Sequence, residues 1–248
     1  MTGQLHHTVP VTGTPRRADY GAVRLGRRDI DGLILCAEHG GAPYDLLAAA
    51  LGAQPARLRG IVARWRKAGY AATGRLGPGP AWCWLTPAGM AAAGFGYPAS
   101  RPALARLAHI RAVLAARLWL QAGPAWDQGR AWWHSERRLR AALPRPGVGV
   151  AGHLPDAEIH WPSIETSPYP GQVWAVEVEL TPKPLARTTR IMAGLLGGPA
   201  RYAQVLYLTA PAARPVVTRA AATLPPSQQD RLIIRDLPAS AFTPEDRP

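Results

Sequence analysis

The sequence predicts a mixed α/β protein, α+β overall, with a helical N-terminal part followed by a part built on a mixed β-sheet. Three observations predict this fold class. Apolar residues recur at helical spacing in three short segments between residues 27 and 69. A glycine- and proline-rich segment that reads as a β-hairpin follows them. Beyond residue 150, strand-like segments alternate with helical ones.

The net charge of +13 is distributed unevenly along the chain. Residues 1–98 carry +6, residues 99–150 carry +7, and residues 151–248 carry no net charge. Binding a polyanion releases counterions from its phosphates, so a basic part of this kind favours nucleic acid as the partner. The alternative is a basic surface that is merely solvated, in a chain whose composition is rich in arginine.

No apolar run approaches the roughly 20 residues that span a bilayer, so we expect no membrane association. The first 24 residues lack a secretory signal pattern and are expected to be a disordered leader. Cys36 and Cys83 are the only cysteines, and neither belongs to a CxxC pair. A disulfide framework is therefore not predicted, which agrees with a cytoplasmic location.

Residues 25–98 have the pattern of a winged helix-turn-helix. Helices are predicted over 27–38, from Pro43 to Leu51, and over 55–69, where glycines end each one. The third helix has an apolar stripe and many basic residues, which is typical of a recognition helix that enters the major groove. Residues 70–86 then form the predicted wing. The candidate DNA-binding residues here are Arg57, Arg59, Arg64 and Lys67 on the helix and Arg75 at the wing tip.

Double-stranded DNA is therefore the expected partner of this domain. The alternatives are a three-helix bundle with an attached hairpin, or a winged helix used for protein contacts, including a homodimer. Residues 99–130 are predicted to be a basic helical connector, and residues 131–143 a further helix. On that helix Glu136 shares a face with Trp132, Leu139 and Leu143. It is either an auxiliary acidic group of a metal site or the i,i+4 ion-pair partner of Arg140.

The chemistry is predicted in residues 131–238. Alternation over residues 155–161 places Asp156, Glu158 and His160 on one face of a strand. The strand at 172–180 has Glu177 and Glu179 on one side. Two carboxylates on a central strand are costly unless a cation meets them, so a divalent metal, Mg²⁺ or Mn²⁺, is the predicted cofactor.

A helix is expected to begin at Thr181 as N-cap, with Pro182 in its first position. On that helix Lys183, Arg187 and Arg190 fall on one face, and the two arginines are further candidate DNA contacts. A strand buried on both faces, a helix over 212–223 and a last strand follow. Residues 239–248 are expected to be a flexible tail.

These residues and their order resemble the PD-(D/E)XK nucleases. More closely, residues 25–235 resemble the replication-relaxation proteins of actinobacterial plasmids and mobile elements, which join a winged helix to such a core. The "PD … E-x-E-L-T-x-K" run of that family appears here as Pro155-Asp156 and as the segment from Glu177 to Lys183. The resemblance implies an αβββαβ core with a mixed sheet.

The resemblance also implies roles for individual residues. Asp156 and Glu177 would ligate the metal, Lys183 would orient water or bind the scissile phosphate, and Glu136 would match an acidic residue of the first core helix. Glu179 stands where the superfamily usually has lysine. Two functions follow: a Mg²⁺-dependent DNA endonuclease of plasmid or mobile-element replication or transfer, or an inactive DNA-binding accessory or regulatory protein. Other replication or conjugation proteins are further possible partners.

Overall fold

The structure, a computed structural model, describes residues 24–143, 153–197 and 202–243. It is a mixed α/β fold with one small antiparallel sheet and one five-stranded mixed sheet, as the sequence predicts at that level. Within the described residues, no helix has the length and apolar character needed to cross a membrane.

The first part of the chain contains helices and a three-stranded sheet, in the strand order β1-β3-β2. Its elements are α1 (Arg27–His39), β1 (Ala42–Pro43), α2 (Tyr44–Ala50), α3 (Pro55–Lys67), β2 (Ala71–Gly74), β3 (Trp82–Leu85) and α4 (Pro87–Ala92). The three predicted helices and the predicted hairpin are confirmed at these positions. The two-residue strand β1, which pairs with β3, was not predicted.

Helix α3 forms where the apolar stripe predicts it. Pro55 occupies its first turn, and Leu58, Ile61, Val62 and Trp65 are its buried side chains. The indole Nε1 of Trp65 donates to Asp29 Oδ1 of α1 at 2.8 Å. A buried indole N–H therefore has its acceptor, and α1 and α3 are held together by it.

The second part begins with α5 and contains the larger sheet. Its elements are α5 (Leu107–Gln121), preceded by a 3₁₀ turn at Leu104–Arg106, then α6 (Pro124–Gly129), β4 (Trp132–Ser135), α7 (Glu136–Ala141), β5 (Ala157–His160), β6 (Val173–Glu179), α8 (Leu185–Leu196), β7 (Gln204–Thr209), α9 (Arg214–Ala222), α10 (Pro226–Gln229) and β8 (Leu232–Asp236). The strands follow the order β4-β5-β6-β7-β8, so β6 is central. Strands β4, β5 and β6 are antiparallel neighbours, whereas β6, β7 and β8 run parallel.

The prediction of one helix over residues 131–143 is wrong. Residues 132–135 form strand β4, and only Glu136–Ala141 are helical. Trp133 and Ser135 are buried, whereas Trp132 is 56% exposed, which is the alternation of a strand. The Ser135 hydroxyl then caps α7. The helical interpretation failed because aromatic residues and one serine form a strand and an N-cap in succession.

The predicted start of the helix after β6 is also wrong. Helix α8 begins at Leu185 with Pro184 before it, so Thr181 is not its cap and Lys183 lies outside it. A residue that precedes proline is pushed away from helical backbone angles, and Lys183 precedes Pro184. The second proline of the Thr-Pro-Lys-Pro segment therefore delays the helix.

The middle of the segment predicted as a basic connector is buried in the protein. Helix α5 contacts both α2 and β6, and its residues 111–116 are buried. Arg111 pairs with Asp45 of α2, and Arg117 pairs with Glu38 of α1. These arginines neutralise acidic groups of the first part, so they do not belong to a continuous basic surface.

Candidate functional site

Three of the predicted acidic residues lie at the middle of the five-stranded sheet. Asp156 immediately precedes β5, and Glu177 and Glu179 lie in β6. Ala157 pairs with Val176 in the antiparallel register, so Asp156 stands opposite Glu177. Glu177 is only 4% exposed and Glu179 only 5%. Carboxylates at this depth require cationic or hydrogen-bonding partners.

Asp156 is held through both of its carboxylate oxygens. His109 Nε2 of α5 lies 2.8 Å from Oδ1, and the backbone N–H of Val178 donates to Oδ2 at 2.8 Å. The backbone N–H of Glu136 donates to the Asp156 carbonyl oxygen at 2.9 Å. Burial lowers the pKa of His109, but its hydrogen bond to Asp156 and the negative charge of that carboxylate together outweigh this, and the net shift is upward.

The strand predicted over residues 155–161 is shorter in the structure, where β5 spans Ala157–His160. Asp156 lies outside β5, and its carboxylate contacts helix α5, whereas Glu158 and His160 contact each other on the strand. His109 was not identified as a site residue from the sequence. It is 47 positions from Asp156, and a single histidine within a helical pattern carries no signal of that contact.

Glu177 is the most perturbed carboxyl of this group. Burial and, after it, the negative charge of Asp156 raise its pKa to about 7, against the opposing effects of His153 and Lys183. His153 Nε2 lies 2.8 Å from Glu177 Oε1, and this hydrogen bond raises the pKa of His153. His153 and His160 thus contact different carboxylates.

Lys183 lies beside Glu179, although it is not on a helix. Its Nζ is 2.5 Å from Glu179 Oε2. Lys183 is thus paired with a buried carboxylate of β6. Arg187 and Arg190 are exposed on α8, and neither forms an ion pair within the described part of the chain.

Tyr207 of β7 completes this group and was also missed. It pairs with Glu177 across the parallel strands and is 1% exposed. Its hydroxyl finds no hydrogen-bond partner among the described residues. Burial raises its pKa, and the neighbouring carboxylates Glu177, Glu179 and Asp156 raise it further. A buried hydroxyl beside three carboxylates can hydrogen-bond to a water or to the hydration shell of a cation.

We name Asp156, Glu177, Glu179, Lys183 and Tyr207 the acidic centre. Its donor set fits Mg²⁺ or Mn²⁺, because these ions take carboxylate oxygens and retain several waters. Asp156 and Glu177 are the residues that would hold the ion. The unpartnered Tyr207 hydroxyl is compatible with such waters.

A cleft of about 350 Å³ reaches the acidic centre from the side of α5. Its lining includes Arg101, Arg106, His109, Glu136, Arg140 and Asp156. Arg137 also lines it, so the cleft holds four arginines, of which Arg106 and Arg140 pair with Glu136. Arginines beside an aspartate in one cleft are suited to a phosphate group. Glu177 does not line this cleft.

Glu136 forms ion pairs in the structure. Arg106 Nη2 lies 2.9 Å from its Oε2, and Arg140 pairs with Oε1. Of the two interpretations of Glu136, the i,i+4 pair with Arg140 is therefore observed. The role of an auxiliary metal-site acid stays a prediction.

The predicted DNA-binding residues of α3 differ in their surroundings. Arg57, Arg59 and Lys67 are exposed, and none has an ion-pair partner within the described residues. Arg64 instead pairs with the buried Asp29. Arg75 is exposed in the hairpin, and its guanidinium donates to the Gly79 carbonyl at 3.4 Å. Arg64 thus has a structural partner that the sequence did not indicate.

A second cluster of ionisable residues lies on β4 and β5. His134, Glu158 and His160 each place one potential ligand atom within 4.8 Å of the others, and this is the one such group of three among the described residues. His160 Nε2 is 2.7 Å from Glu158 Oε2. Burial and, after it, the nearby His160 lower the pKa of His134 to about 4.

Comparisons with known proteins identify no relative of this chain: no protein-family model, no curated protein and no solved structure matches it.

Proposed function

We propose that this chain binds double-stranded DNA through a winged helix-turn-helix formed by α1 to α3 and the β2–β3 hairpin. The observation that carries the proposal is the exposed basic surface of α3, formed by Arg57, Arg59, Arg66 and Lys67. No carboxylate of the described residues pairs with any of these side chains. The order of helices and strands, with a hairpin directly after α3, supports α3 as the recognition helix.

The test is duplex binding measured by fluorescence anisotropy over a range of salt concentrations. Arg57→Ala/Arg59→Ala should weaken binding and reduce the slope of log K against log salt. The reduction is about 0.9 for each phosphate contact that is lost. Arg219→Ala, which removes an exposed arginine of α9, is the matched control and should leave the slope unchanged. Equal slopes for both variants and the wild type would contradict the assignment of α3.

The second candidate function is hydrolysis of DNA phosphodiester bonds at the acidic centre. The observation that favours it is that Asp156, directly before β5, stands opposite Glu177 of the neighbouring strand β6. The order α5, α6, β4, α7, β5, β6, α8, β7 resembles the αβββαβ order of a PD-(D/E)XK core, with the short helices α6 and α7 added. A divalent ion bound there would activate water and neutralise charge on the reacting phosphate.

The residues of the chain have separable roles in this proposal. His109 and the Val178 N–H orient the Asp156 carboxylate. Lys183 would move from Glu179 to the scissile phosphate, since its flexible side chain is 29% exposed. If Lys183 instead stays paired with Glu179, the acidic centre is catalytically inactive. The chain is then a DNA-binding accessory or regulatory protein of a mobile element.

Nicking of supercoiled plasmid in Mn²⁺, and again in EDTA, separates the two cases. Asp156→Asn and Lys183→Ala should eliminate cleavage, whereas their DNA affinity in EDTA should stay close to wild type, because binding depends on α3. Arg219→Ala, an exposed substitution on α9, is the control for cleavage. A wild-type protein that binds but does not cut with any divalent metal would leave DNA binding alone as the function.

A further inference from the structure

The cluster of His134, Glu158 and His160 has the composition and spacing of a transition-metal site. We propose that these three side chains bind one Zn²⁺ ion, at a site separate from the carboxylates of the acidic centre. Their potential ligand atoms already lie within 4.8 Å of one another. The rings of His134 and His160 are in contact, with centroids 4.1 Å apart.

The sheet register brings the three residues together. His134 of β4 pairs directly with Glu158 of β5. His160 is two residues beyond Glu158 on the same strand, and side chains at that spacing share a face. The positions of the ligands are therefore set by backbone hydrogen bonds of two strands, which makes the arrangement more reproducible than a cluster on loops.

The donor set indicates which ion is bound. Two imidazoles and one carboxylate suit Zn²⁺, whereas Mg²⁺ prefers oxygen ligands alone. Ligand atoms around a tetrahedral Zn²⁺ lie about 3.3 Å apart, given metal–ligand distances of about 2.0–2.2 Å. Side-chain adjustments of roughly 1–1.5 Å would bring the three atoms to that spacing. Three protein ligands leave a fourth position for water.

A further contact supports the role of Glu158 as a ligand. The hydroxyl of Tyr202 donates to Glu158 Oε1 at 2.7 Å, and His160 contacts the other oxygen, Oε2. Outer contacts of this kind orient a ligating carboxylate and are a usual feature of zinc sites. Glu158 is 2% exposed, whereas the His160 side chain is 29% exposed, so solvent reaches the cluster on the histidine side.

The proposed ion has a structural consequence for the sheet. Strand β4 lies at the edge, and it has β5 as its one neighbour among the described strands. A metal that joins His134 to Glu158 and His160 would tie this edge strand to the sheet. Binding to the folded state alone would also raise the melting temperature.

The test uses the metal-free full chain titrated with Co²⁺ as a spectroscopic probe of Zn²⁺ sites. We expect one Co²⁺ per chain with the visible d–d absorption of a four-coordinate site, displaced by Zn²⁺ and not by excess Mg²⁺. His134→Ala and His160→Ala should abolish the absorption. Tyr202→Phe should weaken binding by about 10- to 100-fold, the usual effect of losing an outer-shell partner.

Control variants distinguish this site from other histidines and from the acidic centre. His153→Ala and Asp156→Asn should retain the absorption, as should His6→Ala/His7→Ala, which removes the paired histidines near the N-terminus. Melting without metal and far-ultraviolet circular dichroism establish that each variant is folded. If His160→Ala does not fold, the half-buried His134 is replaced by Gln instead.

Absence of the absorption in the wild type would overturn the proposal. So would its retention in folded His134 and His160 variants, or its loss in the His6/His7 variant. Loss in Asp156→Asn would assign the ion to the acidic centre and also overturn it. None of these outcomes depends on whether the protein cleaves DNA.

Discussion

Replacing Arg117 with Met tests whether the arginines of α5 are structural or part of a DNA-binding surface. Arg117 Nη1 donates to Glu38 Oε2 at 2.5 Å, and the two side chains are 11% and 3% exposed. Its guanidinium also lies over the Trp133 ring, 5.8 Å from the centroid. Met retains much of the aliphatic volume but leaves Glu38 buried without this partner.

The magnitude follows from the burial of Glu38. Removing one member of a buried ion pair costs about 3–5 kcal/mol, because the remaining charge is desolvated. For a chain of this size each kcal/mol lowers the melting temperature by about 2–4 °C, so the shift is about 6–20 °C. Urea unfolding gives the free energy, and thermal melting gives the shift.

A double-mutant cycle tests the assignment further. Glu38→Gln/Arg117→Met should be less destabilised than the sum of the two single variants, with a coupling energy of about 0.5–3 kcal/mol. Arg190→Met, at an exposed position of α8, is the matched control and should change stability by less than about 0.5 kcal/mol. An Arg117→Met variant of wild-type stability with weakened duplex binding would refute the structural role and restore the surface interpretation.

Three further substitutions test individual contacts. His39 is buried beside two arginines, and burial, followed by these charges, holds its pKa well below the usual value. Below about pH 6.5 the unfolded chain therefore binds a proton at His39 that the folded chain does not. The free energy of unfolding then falls as the pH falls, by up to about 1.4 kcal/mol per pH unit. In urea unfolding, the free energy of unfolding of His39→Gln should depend less steeply on pH. Asp29→Ala leaves the buried indole N–H that it binds without an acceptor, and should cost about 1–3 kcal/mol in urea unfolding. Gly89→Ala should lower the free energy of unfolding by about 1–3 kcal/mol or more, because the added Cβ would lie 1.9 Å from the Tyr70 carbonyl oxygen. Gly60→Ala, on the open face of α3, is the control and should be neutral or stabilising in the same assay.

The sequence predicted the elements that have one clear periodicity. The helix at 55–67 and the central strand with Glu177 were identified because apolar residues recur at a single spacing and the flanking prolines and glycines agree with it. The errors fall where two local signals compete. At residues 132–141 a strand passes directly into a capped helix, and at Pro184 a second proline displaces a helix start that Thr181-Pro182 alone would favour.

The candidate site could be predicted only in part, because its partners are distant in sequence. Asp156, Glu177 and Glu179 were identified from charges on an apolar strand. Their contacts with His109 and Tyr207 depend on how α5 and β7 pack against β5 and β6, and no single-sequence pattern encodes that packing. The same holds for His134, whose strand was predicted to be a helix.

Charge counts along the sequence were similarly incomplete. The excess of arginine in residues 99–150 suggested a continuation of the DNA-binding surface. In the structure Arg111 and Arg117 bind acidic side chains of α2 and α1. The net charge of a segment gives the balance of basic and acidic residues but not which of the basic residues are already paired. The basic residues of α3 that are unpaired within the described part of the chain therefore support the proposal of DNA binding, whereas Arg111 and Arg117 of α5 do not.

Helix α5 relates the two proposed activities to each other. Arg111 of α5 donates to both carboxylate oxygens of Asp45 in α2, at 3.0 and 2.6 Å, and His109, two residues earlier, contacts Asp156 at 2.8 Å. Helix α5, whose residues 111–116 are buried, therefore connects α2, which packs against α3, with Asp156 of the acidic centre. A duplex held by α3 would then lie at a fixed position relative to Asp156. If the centre hydrolyses DNA, the cuts should fall at one offset from the bound sequence, whereas a flexible connector would spread them over many positions.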